Sequence, residues 1–161
     1  MLVQNAMVSE VECCTAKQNL EEIAAAMHQF DCGAIPIVDA QRKPIGIFTD
    51  RDVALWAALL HKPLWKIKAA DVLFDQELQC CEPEDLIEDA LAIMERYKIR
   101  RLPVTDESGM LIGMLSMGDI ASYTYEHAKS DDNTIPSHET LLFLKSVSAH
   151  HNGALARADY Q

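Results

Sequence analysis

The sequence predicts an α/β (α+β) fold made of two β-α-β-β-α units, and three observations carry that prediction. The chain contains an internal repeat: at an offset of 67 residues, Cys13–Ala54 falls on Cys80–Ala121 without a gap, and 11 of the 42 aligned positions are identical. Self-similarity at a fixed offset marks a duplicated structural unit. Within each copy the apolar pattern passes from extended to helical spacing and back in the same order. Each copy then places a polar turn, Asp39–Lys43 or Asp106–Met110, between two apolar runs, the pattern of a hairpin. The units are drawn at 1–62 and 63–128, followed by a polar loop, an apolar helix at about 137–148 and a tail, together 129–161.

Each element follows from its residues. A short lead, VQNAM or AADVLF, opens each copy, and an extended piece, VECC or LQCC, follows. Leu20, Ile23, Ala24, Met27 and Phe30 recur at helical spacing, as do Ile87, Ala90, Leu91, Met94 and Tyr97. Glu21, Glu22, Glu88 and Asp89 lie near the helix starts, where the helix dipole favours them, and Asp85 is the candidate cap of the second helix. Next come the strands Ala34–Val38 and Leu102–Thr105, whose prolines suggest an edge or a strand start. After the turns come the strands Pro44–Thr49 and Leu111–Ser116, which run straight into helices at about Arg51–Leu60 and Gly118–His127. Two strands joined by a short turn form a hairpin, and the helices cover one face of the sheet.

Composition narrows the function. A net charge of −11 disfavours nonspecific binding to nucleic acid or to an anionic membrane. No apolar run reaches membrane-spanning length, and the first residues lack the pattern of a signal peptide, so a cytoplasmic protein is expected. The five cysteines, Cys13, Cys14, Cys32, Cys80 and Cys81, then read as free thiols. Adjacent cysteines on a strand point to opposite faces, so each Cys-Cys pair reads as duplicated small apolar residues rather than a metal or redox site. His28, His61, His127, His138, His150 and His151 form no ligand spacing or triad, and no nucleophile stands beside a base. No enzyme activity and no metal are expected.

The strand–helix junctions carry the most chemistry. Thr49 and Ser116 end strands, helix N–H groups follow, and Asp52 and Asp119 come three residues later. A hydroxyl beside a helix start suits an anion, and a carboxylate accepts hydrogen bonds from hydroxyls. The competing reading is helix capping alone. Gly46 and Gly113 admit close backbone approach.

The segments LEEIAAAMHQFDCGAIPIVD with KPIGIFTDRDVA, and LIEDALAIMERYKIRRLPVTD with MLIGMLSMGDIA, resemble the CBS domain, the cystathionine-β-synthase-type module that occurs in pairs. The resemblance covers roughly residues 1–127, and the whole is similar to stand-alone bacterial CBS-domain proteins. It implies a tandem pair packed with pseudo-two-fold symmetry, two equivalent clefts and a homodimer. It also implies that one or both clefts bind an adenosine-containing ligand such as AMP, ADP, ATP or S-adenosylmethionine, with no cofactor required. On this resemblance Thr49 and Ser116 take the phosphate side, and Asp52 and Asp119 the ribose.

Arg51, Arg100 and Arg101 are candidate phosphate partners, since guanidinium groups suit phosphate. The first copy has Gly33-Ala34 where the second has Arg100-Arg101, and Thr15 where the second has Glu82, so the two clefts are expected to differ. Cys14, Cys81, Ile35, Ile37, Leu102 and Val104 are candidate apolar walls for the adenine. The two functional readings are a regulatory ligand-binding module and a protein–protein adaptor with vestigial clefts. The C-terminal stripe Leu141, Leu142, Phe143, Leu144 and Val147 is too apolar to stay in water. It is expected to pack on the chain itself or on a second subunit, in preference to an unidentified protein partner.

Overall fold

The computed structural model describes residues 1–9, 11–73 and 78–127. The expected loop and helix of 129–161 lie outside the described residues. The first hairpin pairs β3 (Ala34–Val38) with β4 (Pro44–Thr49), and the second pairs β5 (Arg101–Thr105) with β6 (Leu111–Ser116), both antiparallel. Aspartates close both turns. Asp39 Oδ1 accepts from the N–H groups of Gln41 and Lys43, and Asp106 Oδ1 from those of Ser108 and Met110. The Ser108 hydroxyl also donates to Asp106 and, with the Met110 N–H, holds its carboxyl below the usual range. Each turn needs one left-handed residue, filled by Arg42 (φ 60°) and by Gly109 (φ 79°).

Two short strands, β1 (Val8–Ser9) and β2 (Cys14–Thr15), complete two three-stranded sheets of order β2-β3-β4 and β1-β6-β5. Pro36, expected at an edge or strand start, lies inside the middle strand β3. The second repeat shows how a proline fits there. The Pro103 carbonyl accepts from the Cys81 N–H where the parallel pairing begins, so the donor that proline lacks faces chain ahead of the ladder.

The helices are α1 (Leu20–Gln29), α2 (Asp50–Leu60), α3 (Ala69–Val72), α4 (Ile87–Tyr97) and α5 (Met117–His127). None among the described residues is long and apolar enough to cross a membrane. A reciprocal box between Asn19 and Glu22 caps α1. The cap of α4 is Leu86, with no side-chain bond, and not Asp85. Asp85 instead accepts from the Glu82 N–H (2.8 Å), as Gln18 does from the Thr15 N–H (2.7 Å), so both residues close the turn before the helix.

The two cores exchange their leads. Val3, fully buried, packs with Cys81, Ile87, Met94, Leu102 and Leu115, and the Val3 and Gln4 N–H groups bond to Asp85 and Pro83 carbonyls. Ile67, Ala69 and Val72, which fall within 63–128, instead pack with Leu20, Ile23, Ile35 and Phe48, and the Leu20 N–H donates to the Ile67 carbonyl. The glycines make room for these crossings. A Cβ at Gly46 would come within 2.4 Å of Leu73 Cδ1, and one at Gly113 within 2.7 Å of the Val8 carbonyl. The repeats also meet directly. The Leu111 N–H donates to the Arg42 carbonyl (3.0 Å), and Arg42 Nε donates back to the Leu111 carbonyl (3.3 Å).

Candidate functional site

The two junctions are built alike. Thr49 caps α2: its Oγ1 accepts from the Asp52 N–H (3.2 Å), while its own N–H (2.8 Å) and hydroxyl (2.6 Å) both donate to Asp52 Oδ2. Ser116 and Asp119 repeat the two backbone bonds at α5, with Ser116 N–H to Asp119 Oδ2 at 2.8 Å and Asp119 N–H to Ser116 Oγ at 3.2 Å, and the hydroxyl-to-carboxylate bond belongs to the first junction. The capping reading is therefore correct for all four residues, and it is compatible with a ligand role. Each half-buried carboxylate is held through Oδ2, and Oδ1 has no hydrogen-bond partner among the described residues.

The helix starts differ. At α2 the Asp50 N–H donates to the Gly33 carbonyl (3.3 Å), the Arg51 N–H to the Asp50 carboxylate (2.8 Å), and the Asp52 N–H to Thr49. The free N–H groups expected there are thus already occupied. At α5 the Met117 N–H donates to the Arg100 carbonyl (3.0 Å) and the Asp119 N–H to Ser116. The Gly118 N–H has no acceptor among the described residues, because Met117 stands where the first repeat has Asp50.

Arg101 crosses between the repeats. It pairs with Ser116 in the β5–β6 register, yet its Nη2 lies 3.4 Å from where a Gly33 Cβ would be, beside Asp50 Oδ2 at 3.6 Å from the same point. The first junction, which has no arginine at 33 or 34 in its own repeat, receives one from the second. Arg100 stays at the second junction, exposed, and Arg51 is exposed on α2.

The other candidates are placed as follows. Thr15 and Glu82 are exposed at equivalent turns. Cys14 and Cys81 are each 3% exposed, and Ile37 and Val104 are fully buried, as are Ile35 and Leu102. They pack in the cores under the helices. Extended alternation turned each of them toward its own helices. Burial raises the Cys14 and Cys80 thiols. Burial, with the Asp85 carboxylate next, pushes Cys81 up to about 12. Among the described residues no group of three or more His, Cys, Asp or Glu could hold a metal ion. Sequence reasoning gives Asp50 no role of its own, reads Gly33 only as a missing charge, and treats the helix N–H groups as alike at the two junctions. The mismatch Asp50/Met117 in the repeat alignment was the available signal.

Known proteins agree with this architecture. The CBS domain family model matches residues 3–58 and 69–126. YhcV, a CBS domain-containing protein of Bacillus subtilis (strain 168), is 34% identical over 119 residues, 74% of this chain and 82% of YhcV. The CBS domain pair of MJ0100 in complex with 5-methylthioadenosine and S-adenosyl-L-methionine matches with a TM-score of 0.64 at 22% identity, covering 76% of this chain and 98% of that one. CBSX2 in complex with AMP matches with a TM-score of 0.67 at 22% identity, covering 80% and 98%. At that identity the two structures establish the fold alone. The two family matches fall on the two halves of the 67-residue repeat, and the chain belongs to the CBS domain family, carrying its domains as a pair.

Proposed function

We propose that this pair is a regulatory module that binds an adenosine-containing ligand (AMP, ADP, ATP or S-adenosylmethionine) at one or both junctions. The observation that carries it is the shared geometry of Asp52 and Asp119. Each carboxylate is fixed by its own capping box through Oδ2, and Oδ1 is left to accept from ribose hydroxyls. Thr49 and Ser116 mark the phosphate side, with Arg51, Arg100 and Arg101 near it. The AMP complex of CBSX2 and the methylthioadenosine and S-adenosylmethionine complex of MJ0100 support this ligand class. A ligand that favours one placement of the repeats over another shifts the population toward it, and a partner that distinguishes the placements reads the change.

The test is calorimetry of the purified protein with the four ligands, alongside Asp52→Asn and Asp119→Asn. Each substitution removes recognition at its own junction while thermal melting shows a retained fold. Failure of all four ligands to bind at high concentration overturns the reading.

A second reading, an adaptor or assembly surface, is favoured by the exposed stripe Ala54, Leu55, Ala58 and Leu59 on α2, where Leu55 is 46% and Leu59 52% exposed. A homodimer through this stripe is the simplest way to cover it. Sedimentation of Leu55→Ser with Leu59→Ser against the wild type tests it.

A further inference from the structure

We infer that Asp50 sets the ligand specificity of the first junction by standing in for a phosphate. The inference rests on the adenosine-binding reading and divides the two junctions by ligand class. The first takes an adenosine without an anionic 5′ group, and an adenine nucleotide goes to the second.

The Asp50 carboxylate already takes a backbone donor that a phosphate at the start of α2 would need. One oxygen accepts from the Arg51 N–H at 2.8 Å. The other lies beside Gly33, at the point where Arg101 Nη2 enters from the second repeat. Gly33 leaves this space open, since a Cβ there would touch both groups, at 3.4 Å from Nη2 and 3.6 Å from Oδ2. The remaining donors at the helix start are spent on Gly33 and Thr49. A second anion would face a fixed carboxylate and find no free N–H, and like charges brought together weaken binding strongly.

The second junction lacks this internal anion. Met117 replaces Asp50, the Gly118 N–H has no acceptor among the described residues, and the Ser116–Asp119 box keeps both backbone bonds of the first box without its hydroxyl-to-carboxylate bond. The sugar-facing aspartate is thus common to both junctions, and the response to a 5′ phosphate differs.

Calorimetry with AMP and with 5′-methylthioadenosine tests this on the full chain. In the wild type, AMP is expected to bind once per chain, sensitive to Asp119→Asn and insensitive to Asp52→Asn. Methylthioadenosine is expected to occupy the site that depends on Asp52. Asp50 is exposed, so Asp50→Met should fold, as its melting curve will show, and it should raise AMP stoichiometry from one to two. Met117→Asp should weaken AMP more than about tenfold at the second junction. AMP binding that depends on Asp52 in the wild type, or an AMP stoichiometry unchanged by Asp50→Met, overturns the inference and leaves the adenosine reading standing. Absence of binding by both compounds overturns the inference, and the adenosine reading falls with it only where ADP, ATP and S-adenosylmethionine also fail to bind.

Discussion

Arg42 and Leu111 hold the two repeats together by two reciprocal hydrogen bonds, one through the Arg42 carbonyl and one through its Nε. Arg42 does this from a left-handed backbone position, where the second repeat has Gly109. The alignment shows why the clasp is one-sided: Leu111 falls on Pro44, which has no N–H to donate to Gly109. Left-handed backbone costs a non-glycine residue roughly 1–2 kcal/mol. Arg42→Gly and Arg42→Ala both lose the Nε bond, worth about 1 kcal/mol. Arg42→Gly is expected to be the more stable of the two by about 1 kcal/mol, reversing the order usual in helices. Urea denaturation of both variants measures this, and an Ala variant as stable as the Gly variant would refute it.

The crossing leads make Gly113 and Gly46 sensitive to different degrees. At Gly113 the obstacle is the Val8 carbonyl, part of the backbone of β1, so Gly113→Ala is expected to cost about 1–3 kcal/mol. At Gly46 the obstacle is the end of the Leu73 side chain, so Leu73→Ala should partly relieve Gly46→Ala. A double-mutant cycle should give a favourable coupling of at least about 0.5 kcal/mol. Additive losses would show that Leu73 does not occupy that space.

The capping boxes should be measurable apart from any ligand. Thr49→Ala and Ser116→Ala are each expected to cost about 1 kcal/mol. Thr49→Ser and Ser116→Thr, which keep the hydroxyl, should recover most of it. Melting temperatures that ignore the hydroxyl would separate the boxes from stability.

The thiols give a pH prediction. Below pH 9.0, the ordinary value for a thiol, Cys81 is protonated in the folded and unfolded states alike. Above it, the unfolded thiol ionises while the folded one keeps its proton up to about 12, so the unfolded state binds fewer protons and stability falls across that window. The raised Cys14 and Cys80 act in the same direction. Cys81→Ala should flatten this alkaline loss in denaturation curves taken from pH 8 to about 11. In the native protein at neutral pH, Cys14 and Cys81 are expected to resist a thiol reagent and to react once the chain is unfolded, and prompt labelling of either would contradict their burial.

The repeat made the secondary structure legible. The limits of Ala34–Val38, Pro44–Thr49 and Leu111–Ser116 follow from alternation and from the turn aspartates, which act within a few residues. The junction pairs were legible for the same reason, since a capping box spans three residues. The burial of Cys14 and Cys81 was legible as well, but what covers them, Ile37 and Val104 was not, because alternation says that a face is apolar and not whether a helix or a cleft covers it. The passage of Arg101 to Gly33 was also hidden, as it joins residues 68 positions apart through the packing of one repeat on the other.

The exchange of leads gives the molecule a nested order. The buried core of the first repeat runs from Cys14 to Val72, whereas that of the second begins at Val3 and resumes at Cys81. In chain order the first repeat is an insertion inside the second. As the polypeptide leaves the ribosome, the first core has all its parts once Val72 has emerged. The segment at Val3, made before the first core, stays without its partners until the strands and helices through Ile120 are finished, so a segment made earlier joins the core that closes later.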